Sequence, residues 1–198
     1  MGAEALAVTS AVAGLGRIIQ GPLRGWPAED AVNRLLIRRG GPCADRATWL
    51  LSTYSDTVPT IVTAAASGWW LRRRGEGWAV AARPLTAITL ETAVFMAAAA
   101  VVGRPRPDVR RLDRPAPTSS FPSGHTGAST ALHWTLAEMA GEGGSWGPGL
   151  RWLVPPLVGL SRLYRGMHHP SDVVVGAAVG AWAASAAGRA LAAGSQRA

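Results

Sequence analysis

The chain has 198 residues, 48% of them apolar and 16% charged, with a net charge of +8. That length holds one domain, the apolar content excludes disorder, and Cys43, the single cysteine, excludes a disulfide scaffold. All twenty basic residues are arginine, which raises nucleic acid as a partner, but a soluble domain is about a quarter charged and this chain falls well below that.

A helix that crosses a bilayer needs about 20 mostly apolar residues. In chain order, residues 3–20 are helical in composition and read either as a short first span or as an amphipathic surface helix. Residues 21–46 are polar, with Pro22, Pro27, Gly40-Gly41-Pro42 and five arginines. Residues 47–71 form a candidate span that carries Asp56 and ends in Trp69-Trp70 and then Arg72-Arg73-Arg74, an interfacial anchor pattern. Residues 85–103 are the longest apolar run, with a single charge at Glu91. Residues 104–121 hold five arginines and four prolines and cannot be a regular helix. Two shorter runs, 126–139 with His133 and Glu138 and 151–163 with Pro155-Pro156, suit a bundle interior better than insertion alone. Between them, residues 141–149 read as a Gly-rich turn, and residues 173–188 are uncharged up to Arg189. Ala, Gly, Ser and Thr are plentiful in these runs and let helices approach closely in lipid. The pattern predicts an all-α, integral-membrane helical bundle of five or six spans. Residues 1–46 read as a short helix and polar connector, and 47–198 as the membrane-embedded domain; the partner is the lipid bilayer and not nucleic acid.

Three segments at span ends carry chemistry. In Gly103-Arg104-Pro105-Arg106-Pro107-Asp108, proline stops the longest span and two guanidiniums project from its end, suited to gripping a phosphate with planar forks of donors. In Ser120-Phe121-Pro122-Ser123-Gly124-His125-Thr126, a helix start offers free N–H groups and a positive dipole end. There Gly124 admits an oxyanion close to the backbone and His125 is placed to donate a proton. In the third segment, Ser161 to Asp172, Asp172 follows His168 by four residues; its carboxylate is expected to accept His168 Nδ1–H and leave Nε2 free as a base or nucleophile. Alternating helix directions bring the three segments to one membrane face. Two histidines and one aspartate could bind a metal in principle, but the surrounding arginines repel a cation and favour an anion site.

The chain resembles the type-2 phosphatidic acid phosphatase superfamily. That family carries Lys-x6-Arg-Pro, then Pro-Ser-Gly-His, then Ser-Arg-x5-His-x3-Asp. The second signature stands intact at Pro122–His125, and the third at Ser161-Arg162, His168 and Asp172. The first is partial: Arg106-Pro107 fits, but Ala99 occupies the lysine position. The resemblance covers about residues 85–185. It implies that His168 attacks phosphorus and becomes a phosphohistidine, that Asp172 orients it, and that His125 protonates the leaving oxygen and then activates water. Arg106, Arg162, Ser123 and Gly124 would hold the phosphoryl oxygens, with no cofactor and no metal; Arg104, Arg110 or Arg111 would replace the lysine. The implied function is a membrane lipid phosphatase acting on a phosphatidate, a phosphatidylglycerol phosphate or a polyprenyl diphosphate. The alternative is a non-catalytic membrane protein of the same fold that binds phosphorylated lipid. Seven arginines (Arg72, Arg73, Arg74, Arg83, Arg151, Arg189, Arg197) face the seven of the motif side. The family habit of an outward-facing site then sets the expectation of a multi-pass cell-membrane protein with its site on the extracytoplasmic face.

Overall fold

The computed structural model describes residues 2–23, 27–115, 117–140 and 147–195. Among these the chain forms nine helices and no strand. They are α1 (Gly2–Gln20), α2 (Pro27–Arg39), α3 (Pro42–Tyr54), α4 (Thr57–Arg73), α5 (Trp78–Ala81), α6 (Arg83–Val102), α7 (Gly124–Met139), α8 (Gly147–Tyr164) and α9 (Pro170–Ser195). The all-α bundle expected from the sequence is the fold observed. The Gly-rich turn expected at 141–149 lies outside the described residues up to Gly147, which opens α8, and Arg197 also lies outside them.

Three stretches, Gly2–Gln20, Arg83–Val102 and Pro170–Ala193, are long and apolar enough to cross a membrane. The first was open between span and surface helix on sequence. It packs along α6, where Val12, Ala13 and Ile19 share a core with Val94, Ala98, Val102, Phe121 and Val179. Residues 47–71, expected as one span, are instead parts of two helices. The chain turns at Ser55-Asp56, and Asp56 sits as the extended N-cap residue of α4. Ser and Asp favour caps over helix interiors because their short polar groups compete for the backbone.

Helix α7 is the centre of the bundle, packed against α6, α8 and α9. Its polar residues tolerate burial because their donors are satisfied locally: Thr130 Oγ1 donates to the Thr126 carbonyl at 2.7 Å and Thr135 Oγ1 to that of Ala131 at 2.8 Å. Helix α9 lies so close to α7 that a Cβ on Gly176 would meet the Ser123 backbone and one on Gly180 the Gly127 carbonyl. Helix α8 continues through Pro155 and Pro156.

The two ends of the bundle differ. At one end Arg72, Arg73 and Arg74 lie 4.5, 4.8 and 4.0 Å over the rings of Trp78, Trp69 and Trp70, an aromatic and basic belt of the kind that anchors a span at the interface. At the other end the 103–123 loop, the starts of α7 and α9 and the end of α8 converge, with α2 and the start of α3 packed against them.

Candidate active site

The site is built on loops fixed by backbone hydrogen bonds. Gly103 ends α6 in the left-handed region (φ 62°), where glycine meets no steric penalty. The chain then folds back on itself: Arg104 N–H donates to Ser119 Oγ at 2.9 Å and Ser120 N–H to the Arg104 carbonyl at 2.8 Å. Ser123 N–H donates to the Asp172 carbonyl at 2.9 Å, which ties the start of α7 to the first turn of α9. Arg106 donates to the Met167 carbonyl at 2.7 Å and so joins the first segment to the third.

His168 is buried, and its ring N–H geometry differs from the sequence expectation. Nδ1 lies 2.7 Å from the Ser120 carbonyl and 3.7 Å from Asp172 Oδ2. The backbone oxygen therefore takes the Nδ1 proton and fixes the tautomer, which leaves Nε2 without a partner among the described residues. Asp172 is drawn elsewhere. As the third residue of α9 it accepts the His169 backbone N–H at 2.8 Å, the reciprocal half of a capping box, and it pairs with Arg104 at 2.6 Å. Its charge faces the His168 ring without bonding it closely. Burial holds the His168 imidazole below its ordinary pKa of 6.5, against the raising effect of Asp172.

A cavity of about 670 Å³ opens in front of His168. His125, Gly124, Arg106, Arg162, Asp113 and Arg114 share its wall. Gly124, His125 and Thr126 present amides that precede the first helical bond of α7, Gly127 N–H to the Ser123 carbonyl at 2.9 Å. His125 Nε2 lies 3.3 Å from Asp56 Oδ1 at the start of α4. Ser123 does not line the cavity: it is fully buried, its hydroxyl bonded to Thr126 Oγ1 at 3.0 Å, so its contribution is to hold the turn. Asp113 braces the arginines, bonded by Arg165 at 2.5 Å and 2.7 Å and by Arg162 at 3.1 Å. Burial alone would raise its carboxyl, but these partners hold it below the usual value. Arg162 also donates to Ser52 Oγ of α3.

The arginines sort differently from the sequence expectation. Arg104, offered as a replacement for the missing lysine, points away from the cavity and is 2% exposed between Glu29 at 2.6 Å and Asp172 at 2.6 Å. Arg110 and Arg111 do not line the cavity either, whereas Arg114 does and has no described partner. Ala99 is buried in α6. Helix α2, which sequence reading left as a connector, reaches the back of the site. Glu29 accepts the Ser171 N–H at 2.7 Å, and Asn33 Nδ2 donates to the carbonyls of Leu163 at 2.7 Å and His168 at 3.0 Å. No group of three His, Cys, Asp or Glu side chains able to hold a metal is found among the described residues.

The sequence model of the PAP2 superfamily matches residues 80–192, more than half of the chain and all three segments. The chain belongs to the PAP2 superfamily. Among curated PAP2-like relatives, the decaprenylphosphoryl-5-phosphoribose phosphatase of Mycobacterium tuberculosis is 36% identical over 115 residues, which cover 56% of this chain and 59% of that protein. The protein of the same description from Mycolicibacterium smegmatis is 46% identical over 57 residues, 29% of this chain and 28% of that one. The matched region thus spans less than two thirds of those relatives. Two solved structures share the PAP2 fold. One is the transmembrane PAP2 type phosphatidylglycerolphosphate phosphatase of Bacillus subtilis, with a TM-score of 0.73 and 18% identity over 93% of this chain and 92% of that one. The other is LpxE of Aquifex aeolicus, with a TM-score of 0.65 and 24% identity over 82% of this chain and 95% of that one.

Proposed function

We propose that the protein is a metal-independent membrane lipid phosphatase that works through a phosphohistidine on His168. The observation that carries this reading is the His168 ring, held at Nδ1 by the Ser120 carbonyl while Nε2 stays unbonded at the wall of an arginine-lined cavity that also contains His125. The Nε2 lone pair attacks phosphorus, and the P–O bond to the lipid breaks as His125, which takes up a proton brought in by a singly protonated phosphate, gives that proton to the departing oxygen. Water then attacks the phosphohistidine and passes a proton to His125; the P–N bond breaks, releasing inorganic phosphate and restoring neutral His168. Asp172, at 3.7 Å, stabilises the positive ring of the intermediate electrostatically. Arg106, Arg162, Arg114 and the first amides of α7 hold the phosphoryl oxygens, a task of positioning and charge stabilisation.

The substrate is a phosphate monoester or diphosphate carried on a lipid. The substrate for which the mycobacterial relatives are named, a decaprenylphosphoryl phosphoribose, and phosphatidylglycerol phosphate, phosphatidate and a polyprenyl diphosphate make up the panel for the test. Purified protein with EDTA present releases phosphate from at least one of them, and His168→Ala does not. Loss of turnover on chelation with return on adding Mg²⁺ overturns the metal-independent mechanism.

The site faces the extracytoplasmic side of the cell membrane in this reading. Cys43 is exposed in the first turn of α3, two residues before Asp45, which accepts the Tyr164 hydroxyl at 2.5 Å beside the site. Labelling of Cys43 in intact cells by a membrane-impermeant thiol reagent is the expected result, and labelling only after lysis reverses the orientation.

A further inference from the structure

Below the phosphate-binding level the cavity keeps polar walls that the hydrolysis does not use. Glu91 of α6 lines it and is 2% exposed, its only described partner the Thr92 hydroxyl at 3.4 Å, too long for a strong bond. Thr60 of α4, 4% exposed, lines it as well, and its hydroxyl has no described partner. This is not the habit of these helices: Thr86 and Thr89 give their hydroxyls to carbonyls four residues back at 2.9 and 2.8 Å. A buried carboxyl group and hydroxyl left under-satisfied are costly unless something fills the space between them.

Their depth is set by helix packing. A Cβ on Gly124 would touch the Phe95 ring, and one on Gly127 would clash with Glu91 Oε1. Glu91 therefore lies about one turn along both helices below the start of α7, about 4.5–6 Å at 1.5 Å per residue. With the phosphoryl group at the α7 N-terminus, that is the level of the first carbons of the leaving alcohol. Deeper than Glu91 on α6 the wall is apolar at Ile88, and on α4 Ile61 follows Thr60.

We infer that Glu91 and Thr60 form a subsite for a hydroxyl on the leaving group, which makes the preferred substrate a lipid phosphomonoester with a polyol or sugar between the scissile phosphate and the tail. The inference rests on the phosphatase reading above and specifies its substrate class. Glu91 accepts a hydrogen bond from that hydroxyl, and Thr60 bonds it or its neighbour from the facing wall.

The test compares phosphatidylglycerol phosphate, which carries a free hydroxyl beside the phosphate-bearing carbon, with phosphatidate, which has the same two acyl tails and no such hydroxyl. The protein prefers the former in kcat/KM by up to roughly tenfold, the upper end of what one buried hydrogen bond contributes. Glu91→Met reduces that ratio to near one. Thr60→Val, a nearly isosteric change, reduces it several-fold and keeps the test decisive if Glu91→Met elutes as an aggregate. A ratio near one in the parent, or a ratio unmoved by both substitutions, overturns the subsite while leaving the phosphatase reading standing. Hydrolysis of neither lipid, nor of the rest of the panel, overturns both.

Discussion

Replacing Arg104 with methionine tests how the back of the site is held. The guanidinium is 2% exposed and bridges Glu29 and Asp172, each at 2.6 Å, whose side chains are 6% and 0% exposed. In Arg104→Met the two carboxylates keep one backbone donor each, Ser171 N–H at 2.7 Å and His169 N–H at 2.8 Å, but lose the cation between them. Removing one member of a buried ion pair costs about 3–5 kcal/mol, because the remaining charge stays desolvated. For a chain of this length, about 2–4 °C per kcal/mol translates that into a fall of roughly 6–20 °C in the midpoint for loss of the monodisperse peak on heating in detergent. Adding Glu29→Gln to Arg104→Met removes one of the stranded charges and recovers part of the fall, and the double-mutant cycle measures the coupling. Because Arg104 faces away from the cavity, Ala99→Lys does not restore the activity lost with it. A midpoint within about 2 °C of the parent, or rescue by Ala99→Lys, refutes this account.

Three further outcomes follow from the site. His168→Ala abolishes turnover, while His125→Ala slows it by about 10²–10⁴-fold, the usual worth of a general acid; near-normal rates in His168→Ala would remove it as nucleophile. Attack needs a neutral imidazole, and burial holds His168 below its ordinary 6.5, so kcat/KM, corrected for substrate ionisation, falls off on the acid side only below pH 6.5. Stability also declines as pH drops below 6.5, since the unfolded chain takes up the proton that the folded ring resists; an acid limb at or above 6.5 contradicts the buried ring. Arg114→Ala weakens vanadate inhibition by roughly tenfold, the loss of one charged hydrogen bond, and Arg110→Ala does not; equal effects would mean that neither replaces the lysine absent at Ala99.

The sequence made the bundle legible because apolar runs of spanning length have few other uses, and it made the motif residues legible because their spacings place reactive groups at helix starts. His125, His168, Arg106, Arg162 and Gly124 do converge on one cavity. What it could not reveal depends on distant or chemically silent partners. The acceptor for His168 is a backbone carbonyl, which any residue at position 120 would supply. Of Arg104 and Arg106, two residues apart beside prolines, only the folded loop decides which faces the cavity. Glu29 and Asn33 act on residues 75 to 142 positions away, so nothing local in 1–46 marked them. The break at Ser55-Asp56 was readable from the residue types, but the long apolar run around it was the stronger signal.

The contact between α7 and α9, without room for a side chain at Gly176 or Gly180, has a consequence for how the protein can change. His125 rides on one of these helices and the His168–Asp172 corner on the start of the other, so the reacting groups belong to a single stiff block. The α3–α4 turn across the cavity, with Asp56 62% exposed, is not part of that block. Chemistry and selectivity are therefore separable. New headgroup preferences can be selected in α3, α4 and the facing side of α6, by exchange of Thr60 or its neighbours, while the nucleophile, acid and phosphate cradle keep their registry. A library confined to those walls should yield folded, active variants far more often than one that includes either glycine.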